Sequence, residues 1–294
     1  MSSLGQRLAG KRFGLVLSAG YFGFYGHTGF VEGLLASGLT PAAYAGTSAG
    51  GLVASFVAGG APLSTVKALL LKQTRKGFWD PDPLGALLDV ARGGHGPSGL
   101  LQGRRFRSLL EETLPVKRIE DCPSPLLLVA AHLSRATPAV FTAGELAPRV
   151  HATCAYPGLF RAVALEDGLY WDGGLVDKAP ALALADSEAG RNLDALVVHY
   201  LPSRVREKLG GAFAFLHGMD AALAAVRHDH FRLQLRVLQG RRLPVYVVVS
   251  ELPEVSPSSM EKGVEAMEAA RRSAEQALAA PPQAFEGLEP EGAR

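Results

Sequence analysis

One serine stands between two glycines in YAGTSAGGLVASFVAGG, residues 44–60, and an apolar, helix-like run follows it directly. A serine hydroxyl is a weak nucleophile at neutral pH, so it needs open space and a nearby base. A Gly-x-Ser-x-Gly turn between a strand and a helix supplies that space, because the flanking glycines keep other side chains away. Gly46, Ser48 and Gly50 fit this pattern, and we predict that Ser48 is a nucleophile. The chain holds 34 glycines, so ordinary turn punctuation is the competing interpretation.

Attack by such a serine on an acyl carbon creates an oxyanion that needs hydrogen-bond donors. Backbone N–H groups at the start of a helix are unpaired and can stabilise it, so the N–H of Ala49 is one candidate. A second donor is expected from the glycine-rich segment LSAGYFGFYGHTG, residues 17–29, between the first predicted strand and helix. A phosphate-binding turn or tight packing are the other interpretations of this segment. Its glycines, however, lack the G-x-G-x-x-G spacing of a dinucleotide site.

The residue that takes the serine's proton is less obvious, because the chain has eight histidines. His199 lies in an apolar strand, where most histidines are core residues. His228 and His230 are two positions apart and do not share a helix face, which argues against a metal pair.

An aspartate is the better candidate for the base. Asp172 follows a predicted strand in LYWDGGLVDKAP, residues 169–180, and precedes Gly173 and Gly174. A carboxylate held against a hydroxyl can orient it and accept its proton, and two glycines let the backbone approach the serine turn. The competing interpretation is an Asp-Gly turn, a role that Asp167-Gly168 fills between two short predicted strands.

The wider pattern predicts an α/β protein. Short apolar runs alternate with helical segments, and the runs at 193–201 and 244–252 are continuously apolar, as strands buried on both faces should be. This alternation predicts a mainly parallel sheet with helices on both faces. We expect one domain over residues 1–280 with its core at about 13–200, and a flexible tail at 281–294. The Gly- and Pro-rich segment 77–103 is either a lid-like excursion or a surface segment packed on the core.

Composition limits the partners and the compartment. The net charge of +2 gives no reason to expect nucleic-acid binding. Cys122 and Cys154 are far apart and lack metal-ligand spacing, which is typical of a reducing compartment. No apolar run reaches the ~18 residues of a membrane span. We therefore expect a cytoplasmic protein that contacts membranes only peripherally, if at all.

Four motifs in order resemble the patatin-like phospholipase family. They are the serine turn at 46–50, the Asp-Gly-Gly motif at 172–174, the segment HATCAYPGLFRAV at 151–163, and GLLQGRRFRSLLEETL at 99–114. The resemblance is good from Phe13 to about Pro180. It implies a three-layer α/β/α fold, no metal or cofactor, and hydrolysis of lipid acyl esters through an acyl-serine intermediate. The implied catalytic pair is Ser48 and Asp172, without a histidine.

The same resemblance places oxyanion donors at Gly20, Tyr21 and Phe22, but this loop departs from the family pattern. A run of glycines followed by Arg or Lys is usual there, whereas Tyr21 replaces a glycine and Gly23 replaces the basic residue. The lost charge can weaken oxyanion stabilisation, and the loop's aromatic residues either line an acyl pocket or pack in the core. Two alternatives therefore stay open beside the hydrolase: a non-catalytic lipid- or protein-binding relative, and a Ser-His-Asp esterase. Acyl transfer to an alcohol is open as well.

Overall fold

The structure is a computed structural model of the protein. The structure describes residues 2–85, 91, 98–203, 214–241, 243–256 and 259–288. The strands are β1 Phe13–Leu17, β2 Ala43–Thr47, β3 Gly99–Leu101, β4 Leu126–His132, β5 Thr137–Phe141, β6 Gly158–Phe160, β7 Val163–Leu165, β8 Gly168–Asp172, β9 Ala195–Tyr200 and β10 Val245–Val249. The helices are α1 Leu4–Leu8, α2 Phe24–Ala36, α3 Ala49–Ala58, α4 Leu63–Lys72, α5 Arg75–Phe78, α6 Arg104–Thr113, α7 Leu146–Cys154, α8 Ala181–Asp186, α9 Ala214–Gly240 and α10 Gly263–Ala279.

Within the described residues, the central sheet has eight strands in the order β10-β9-β1-β2-β4-β8-β7, with β5 also paired to β4. The pairs that connect β10, β9, β1, β2 and β4 are all parallel. The pairs that add β5, β8 and β7 are antiparallel. The prediction of a mainly parallel sheet is therefore confirmed, and so is the hairpin expected at Asp167-Gly168, which joins β7 to β8.

Both faces of the sheet are covered. Along β1, Leu15 and Leu17 belong to one buried apolar cluster, together with residues of α2, α3 and α10. The intervening Val16 belongs to a second cluster that includes residues of α8 and α9. A strand whose alternate side chains enter two cores must lie between two helical layers. This arrangement confirms the three-layer α/β/α fold.

Strand β4 sets the register that matters for the site. Its first half pairs with β2, up to Thr47 opposite Val129. The next residue, Ala130, pairs with Asp172 at the end of β8. Because β5 occupies the other edge of this part of β4, β2 and β8 lie end to end along one edge. Their carboxyl ends therefore meet, which brings the residue after Thr47 next to Asp172.

Two segments set apart by the sequence are only partly described. Within the predicted excursion 77–103, residues 86–90 and 92–97 lie outside the described residues, while β3 pairs with β6. Within the predicted tail 281–294, residues 289–294 lie outside the described residues. Phe285, within the described part of this segment, is buried and contacts the cluster around α9. In the parts of the chain that the structure describes, we find no helix with the length and apolar character to span a bilayer.

Candidate active site

Ser48 occupies the turn between β2 and α3 in a strained conformation. Its backbone angles are φ 55° and ψ −124°, a combination that residues with a Cβ adopt rarely and at a cost of about 1–3 kcal/mol. The side chain is half-buried. A strained turn of this kind aims the hydroxyl away from both elements, which is the geometry that the Gly-x-Ser-x-Gly spacing predicts.

The two flanking glycines are required by close backbone contacts. A Cβ at Gly46 would lie 2.5 Å from the carbonyl oxygen of Gly50. A Cβ at Gly50 would lie 2.1 Å from the carbonyl oxygen of Leu17, at the end of β1. Neither position accommodates a side chain without backbone movement. The glycines are therefore more than turn punctuation, because they let the serine turn pack against β1 and against itself.

Helix α7 holds the turn from the other side. The N–H of Ser48 donates to Thr153 Oγ1 at 2.9 Å, and the Thr153 hydroxyl in turn donates to the carbonyl of Val129. The Cys154 thiol donates to the carbonyl of Ser48 at 3.3 Å. Sequence reasoning did not assign these roles to Thr153 and Cys154. The only sequence signal for them was their position in the segment 151–163, one of the four motifs that carry the family resemblance.

Asp172 contacts the serine directly. Ser48 Oγ donates to Asp172 Oδ2 at 2.6 Å, within the 2.6–3.2 Å that direct proton transfer requires. The N–H of Gly174 donates to the other carboxylate oxygen at 2.7 Å. The Asp172 side chain is 3% exposed. A Cβ at Gly173 would lie 2.0 Å from the carbonyl oxygen of Val129, so this glycine allows the acid's turn to pack against β4.

The surroundings of Asp172 change its acidity. Burial raises its pKa to about 6, because the ionised form is poorly solvated. Hydrogen bonds from Ser48 and Gly174, and the positive charge of Arg227, oppose this rise. A carboxyl group with this pKa is mainly ionised at neutral pH and still able to hold a proton briefly. Such a balance suits an acid–base catalyst.

The glycine-rich loop lies beside both residues. A Cβ at Gly174 would lie 2.7 Å from the Cβ of Ala19, and one at Gly50 would lie 2.7 Å from the carbonyl oxygen of Ser18. The N–H groups of Ser18 and Ala19 are used, since they donate to the carbonyls of His199 and Lys178.

The backbone N–H groups of the next three loop residues, Gly20, Tyr21 and Phe22, donate to no acceptor among the residues that the structure describes. Phe22 has a φ of 52°, and that unusual angle sets the path of the loop here. Ala49 opens α3, so its N–H has no partner within the helix. The four amides predicted as oxyanion donors thus have no acceptor among the described residues.

The aromatic residues of the loop divide between surface and core. Tyr21 is 68% exposed and its ring meets that of Phe22 edge-on, with centroids 4.9 Å apart. Phe22 and Phe24 are partly buried against the main apolar cluster. Tyr25 is fully buried, and its hydroxyl donates to the carbonyl of Leu70. Tyr25 is therefore a core residue, while the Tyr21 ring is exposed at the surface.

Two of the histidines, His27 and His199, form a buried pair. His199 is fully buried, with Nδ1 2.8 Å from His27 Nδ1 and Nε2 3.0 Å from Ser250 Oγ. His27 Nε2 lies 2.7 Å from the carbonyl oxygen of Ser18 and donates to it. Burial lowers the pKa of His27 to about 4, and that of His199 falls well below its usual value for the same reason. In the described parts of the chain, no histidine hydrogen-bonds to Ser48 or Asp172, and no three potential metal ligands cluster.

Fold and site together define a three-layer α/β/α protein with a serine on a strand-to-helix turn and an aspartate in contact with it. The family model described as Patatin-like phospholipase matches residues 15–185. The match spans more than half of the chain, and the chain belongs to the patatin-like phospholipase family.

The relatives found by sequence are distant. An uncharacterized NTE family protein of Mycobacterium bovis and one of Mycobacterium tuberculosis are each 26% identical over 294 residues. The alignment covers 95% of this chain and 48% of either relative. A second uncharacterized NTE family protein of Mycobacterium tuberculosis is 26% identical over 199 residues, 63% of this chain and 52% of the relative. The chain thus spans about half the length of the curated relatives it matches.

Two solved structures are similar at low identity. VipD from Legionella pneumophila has 15% identity and a TM-score of 0.47, with 91% of this chain and 67% of that chain covered. The ExoU–SpcU complex of the type III secretion system of Pseudomonas aeruginosa has 16% identity and a TM-score of 0.35, with 91% and 52% covered. At these values neither similarity says anything about the activity of this chain.

Proposed function

We propose that this protein is a serine acyl hydrolase that cleaves carboxylic esters of lipids. Ser48 is the nucleophile and Asp172 is its base. The observation that carries the proposal is the 2.6 Å hydrogen bond from Ser48 Oγ to a buried carboxylate. Membership of the patatin-like phospholipase family supports a lipid ester as the class of substrate.

The first half of the reaction forms an acyl-enzyme. Asp172 Oδ2 takes the Ser48 proton as Oγ bonds to the ester carbonyl carbon, and the carbonyl electron pair moves onto oxygen. When the tetrahedral intermediate collapses, the bond to the alcohol oxygen breaks. The proton held by Asp172 passes to that oxygen, so the alcohol leaves neutral and Asp172 is again a carboxylate.

The second half repeats the sequence with water. Asp172 accepts a proton from a water molecule as its oxygen bonds to the acyl carbon. Collapse then breaks the bond to Ser48 Oγ, which regains the proton, and the fatty acid is released. An alcohol in place of water would give acyl transfer, and the same groups would serve.

Backbone amides stabilise the negative oxygen in both halves. The unpaired N–H groups of Gly20, Tyr21, Phe22 and Ala49 are the proposed donors. The loss of one such donor costs on the order of 10²–10³ in rate. Since amides and not side chains supply these hydrogen bonds, the replacement of a glycine by Tyr21 leaves the donors in place.

The exposed ring of Tyr21, in the loop whose amides are the proposed oxyanion donors, supports a peripheral encounter with a lipid surface. An amphipathic tyrosine is suited to the boundary between apolar chains and water. We propose that lipid reaches Ser48 past this residue.

The two alternatives have less support. A Ser-His-Asp esterase needs an imidazole at the hydroxyl, whereas His199 is fully buried among His27, Phe30 and Ser250. A purely binding relative is motivated by the missing basic residue in the loop. It gives no reason for a strained serine held against an acid of raised pKa.

Steady-state hydrolysis of short- and long-chain esters tests the proposal. The wild type should turn over ester, while Ser48→Ala and Asp172→Asn each lose at least about 10³-fold in kcat/KM. Ser55→Ala is a matched control, since the Ser55 hydroxyl bonds to the Gly51 carbonyl inside α3. Full activity in Ser48→Ala would contradict the proposal, and so would loss on replacing a single histidine while Asp172→Asn is tolerated.

A further inference from the structure

A buried arginine from helix α9 reaches the turn that follows Asp172. The Arg227 side chain is 8% exposed. Its Nη1 donates to the carbonyl of Gly174 at 3.2 Å, and its Nε donates to the carbonyl of Leu223 at 3.0 Å. An arginine is always charged, and burying it costs several kcal/mol unless its partners compensate.

Gly174 is therefore held from both sides. Its N–H donates to Asp172 Oδ1 at 2.7 Å, while its carbonyl accepts from Arg227. The position also has no room for a side chain, because an added Cβ would lie 2.7 Å from the Cβ of Ala19. The guanidinium thus fixes the orientation of the residue that hydrogen-bonds the proposed base.

We propose that Arg227 is a positioning residue of this site: it anchors Gly174 through its carbonyl and supplies a positive charge that favours the carboxylate form of Asp172. This inference rests on the proposed function, because it assigns Arg227 a role through the proposed base. It also places a cation near the site from α9, in a chain whose glycine-rich loop has Gly23 where a basic residue is usual.

The electrostatic surroundings of Asp172 are consistent with this role. The groups that act on its carboxyl are the Ser48 hydroxyl, the Gly174 N–H and the charge of Arg227, all of which favour the ionised form against burial. From α7, the Cys154 thiol also faces the acid; burial, and then Asp172 itself, raise the pKa of that thiol, so it stays neutral. Among the described residues, Arg227 is thus the one full positive charge that lowers the pKa of Asp172.

Direct titration of Asp172 tests the inference without relying on turnover. The protein is labelled with ¹³C at aspartate Cγ, and the Asp172 signal is assigned by its loss in Asp172→Asn. Three variants are compared: Arg227→Lys keeps the charge, Arg227→Gln keeps a donor, and Arg227→Met keeps neither. Arg236→Gln, at an exposed position of the same helix, controls for the loss of one positive charge from α9.

The expected result is an upward shift of the Asp172 midpoint by about half a unit to one unit in Arg227→Gln and Arg227→Met. Arg227→Lys and Arg236→Gln should stay near the wild type. In parallel, the acid limb of kcat/KM should move with the midpoint, and activity at pH 7.5 and above should largely recover. An unchanged midpoint in Arg227→Gln, or an equal shift in Arg227→Lys, would overturn the inference.

The two claims fail separately. If Ser48→Ala keeps its activity, the proposed function falls, but the Asp172 midpoint still reports on Arg227. If Ser48→Ala is inactive and the titration midpoint of Asp172 is the same in all Arg227 variants, the proposed function stands and the inference about Arg227 is wrong. If Arg227→Met does not fold, the comparison of Arg227→Gln with Arg227→Lys remains decisive, because both retain a polar head group.

Discussion

Thr47 and Asp172 are the last residues of two strands that lie end to end along β4, opposite Val129 and Ala130 respectively. Ser48 follows Thr47, so its hydroxyl reaches Asp172 Oδ2 at 2.6 Å although the two residues are 124 positions apart. Sheet register, and not a flexible loop, produces this contact. A rigid origin of this kind is what a proton transfer between two side chains requires.

The strain at Ser48 predicts a stability difference between two inactive variants. Ser48→Gly removes the Cβ that makes φ 55° costly, whereas Ser48→Ala keeps it. We expect Ser48→Gly to have the higher free energy of unfolding by about 1 kcal/mol, after the entropic cost of glycine is subtracted. Urea denaturation of both variants measures this. A less stable Ser48→Gly would show that the turn is unstrained.

The ionised carboxylate of Asp172 should lower the free energy of unfolding of the protein. Its folded pKa of about 6 lies above the ordinary value of 3.8, so the folded state binds the proton more tightly than the unfolded state. Asp172→Asn should therefore raise the free energy of unfolding by up to about 3 kcal/mol above pH 6.

The stabilisation expected for Asp172→Asn depends on pH. The advantage of Asp172→Asn should shrink as pH falls from 6 to 3.8 and vanish below that, because the wild-type carboxyl is then protonated in both states. Urea midpoints at pH 4, 5.5 and 7.5 test this. An advantage that does not depend on pH would have to arise from packing instead.

The pH dependence of hydrolysis follows from the same group. Asp172 must be ionised to accept the Ser48 proton, so kcat/KM should rise through a midpoint near 6 and reach a plateau above it. A pH profile with an ester whose alcohol does not ionise measures this midpoint. Activity that peaks below pH 5 would be incompatible with Asp172 as the base.

Replacement of Gly50 by alanine should produce a steric clash, and Gly240 offers a control position without one. Gly50→Ala places a Cβ 2.1 Å from the Leu17 carbonyl oxygen, so the serine turn has to move away from β1. We expect a loss of about 1–3 kcal/mol in stability, and at least a tenfold loss in activity. Gly240→Ala has open space around its Cβ and should melt like the wild type. Equal melting temperatures for the two variants would show that the contact is not tight.

Disruption of the buried histidine pair should lower the stability of the protein and leave Ser48 reactive. His199→Asn leaves a ring nitrogen of His27 without its partner, at a cost of about 1–3 kcal/mol. The variant should melt at a lower temperature and still label at Ser48 with a fluorophosphonate. Lost labelling with an unchanged melting temperature would favour a histidine base.

Much of this site follows from local sequence patterns. The Gly-x-Ser-x-Gly spacing with a strand before it and a helix after it predicted the turn at Ser48. The Asp-Gly hairpin at 167–168 left Asp172 free for another role. Such signals are local, because backbone strain and turn chemistry depend on neighbouring residues.

Other features of the site and the fold could not be predicted from the sequence. Thr153 and Cys154 contact Ser48, and Arg227 contacts Gly174. Only the tertiary packing of α7 and α9 creates these contacts. His27 and His199 are 172 positions apart, and nothing in their spacing predicts a direct contact. The burial of Phe285 is another example, because it depends on the shape of the cluster that this side chain enters.

The most direct test is to trap the acyl-enzyme. The protein is mixed with an activated long-chain ester, quenched in acid within milliseconds, digested, and analysed by mass spectrometry. A burst of released alcohol, with the acyl group on the peptide that contains Ser48, is the predicted result, and Asp172→Asn should lack both. An acyl group on another residue, or hydrolysis with no adduct on Ser48, would contradict the mechanism.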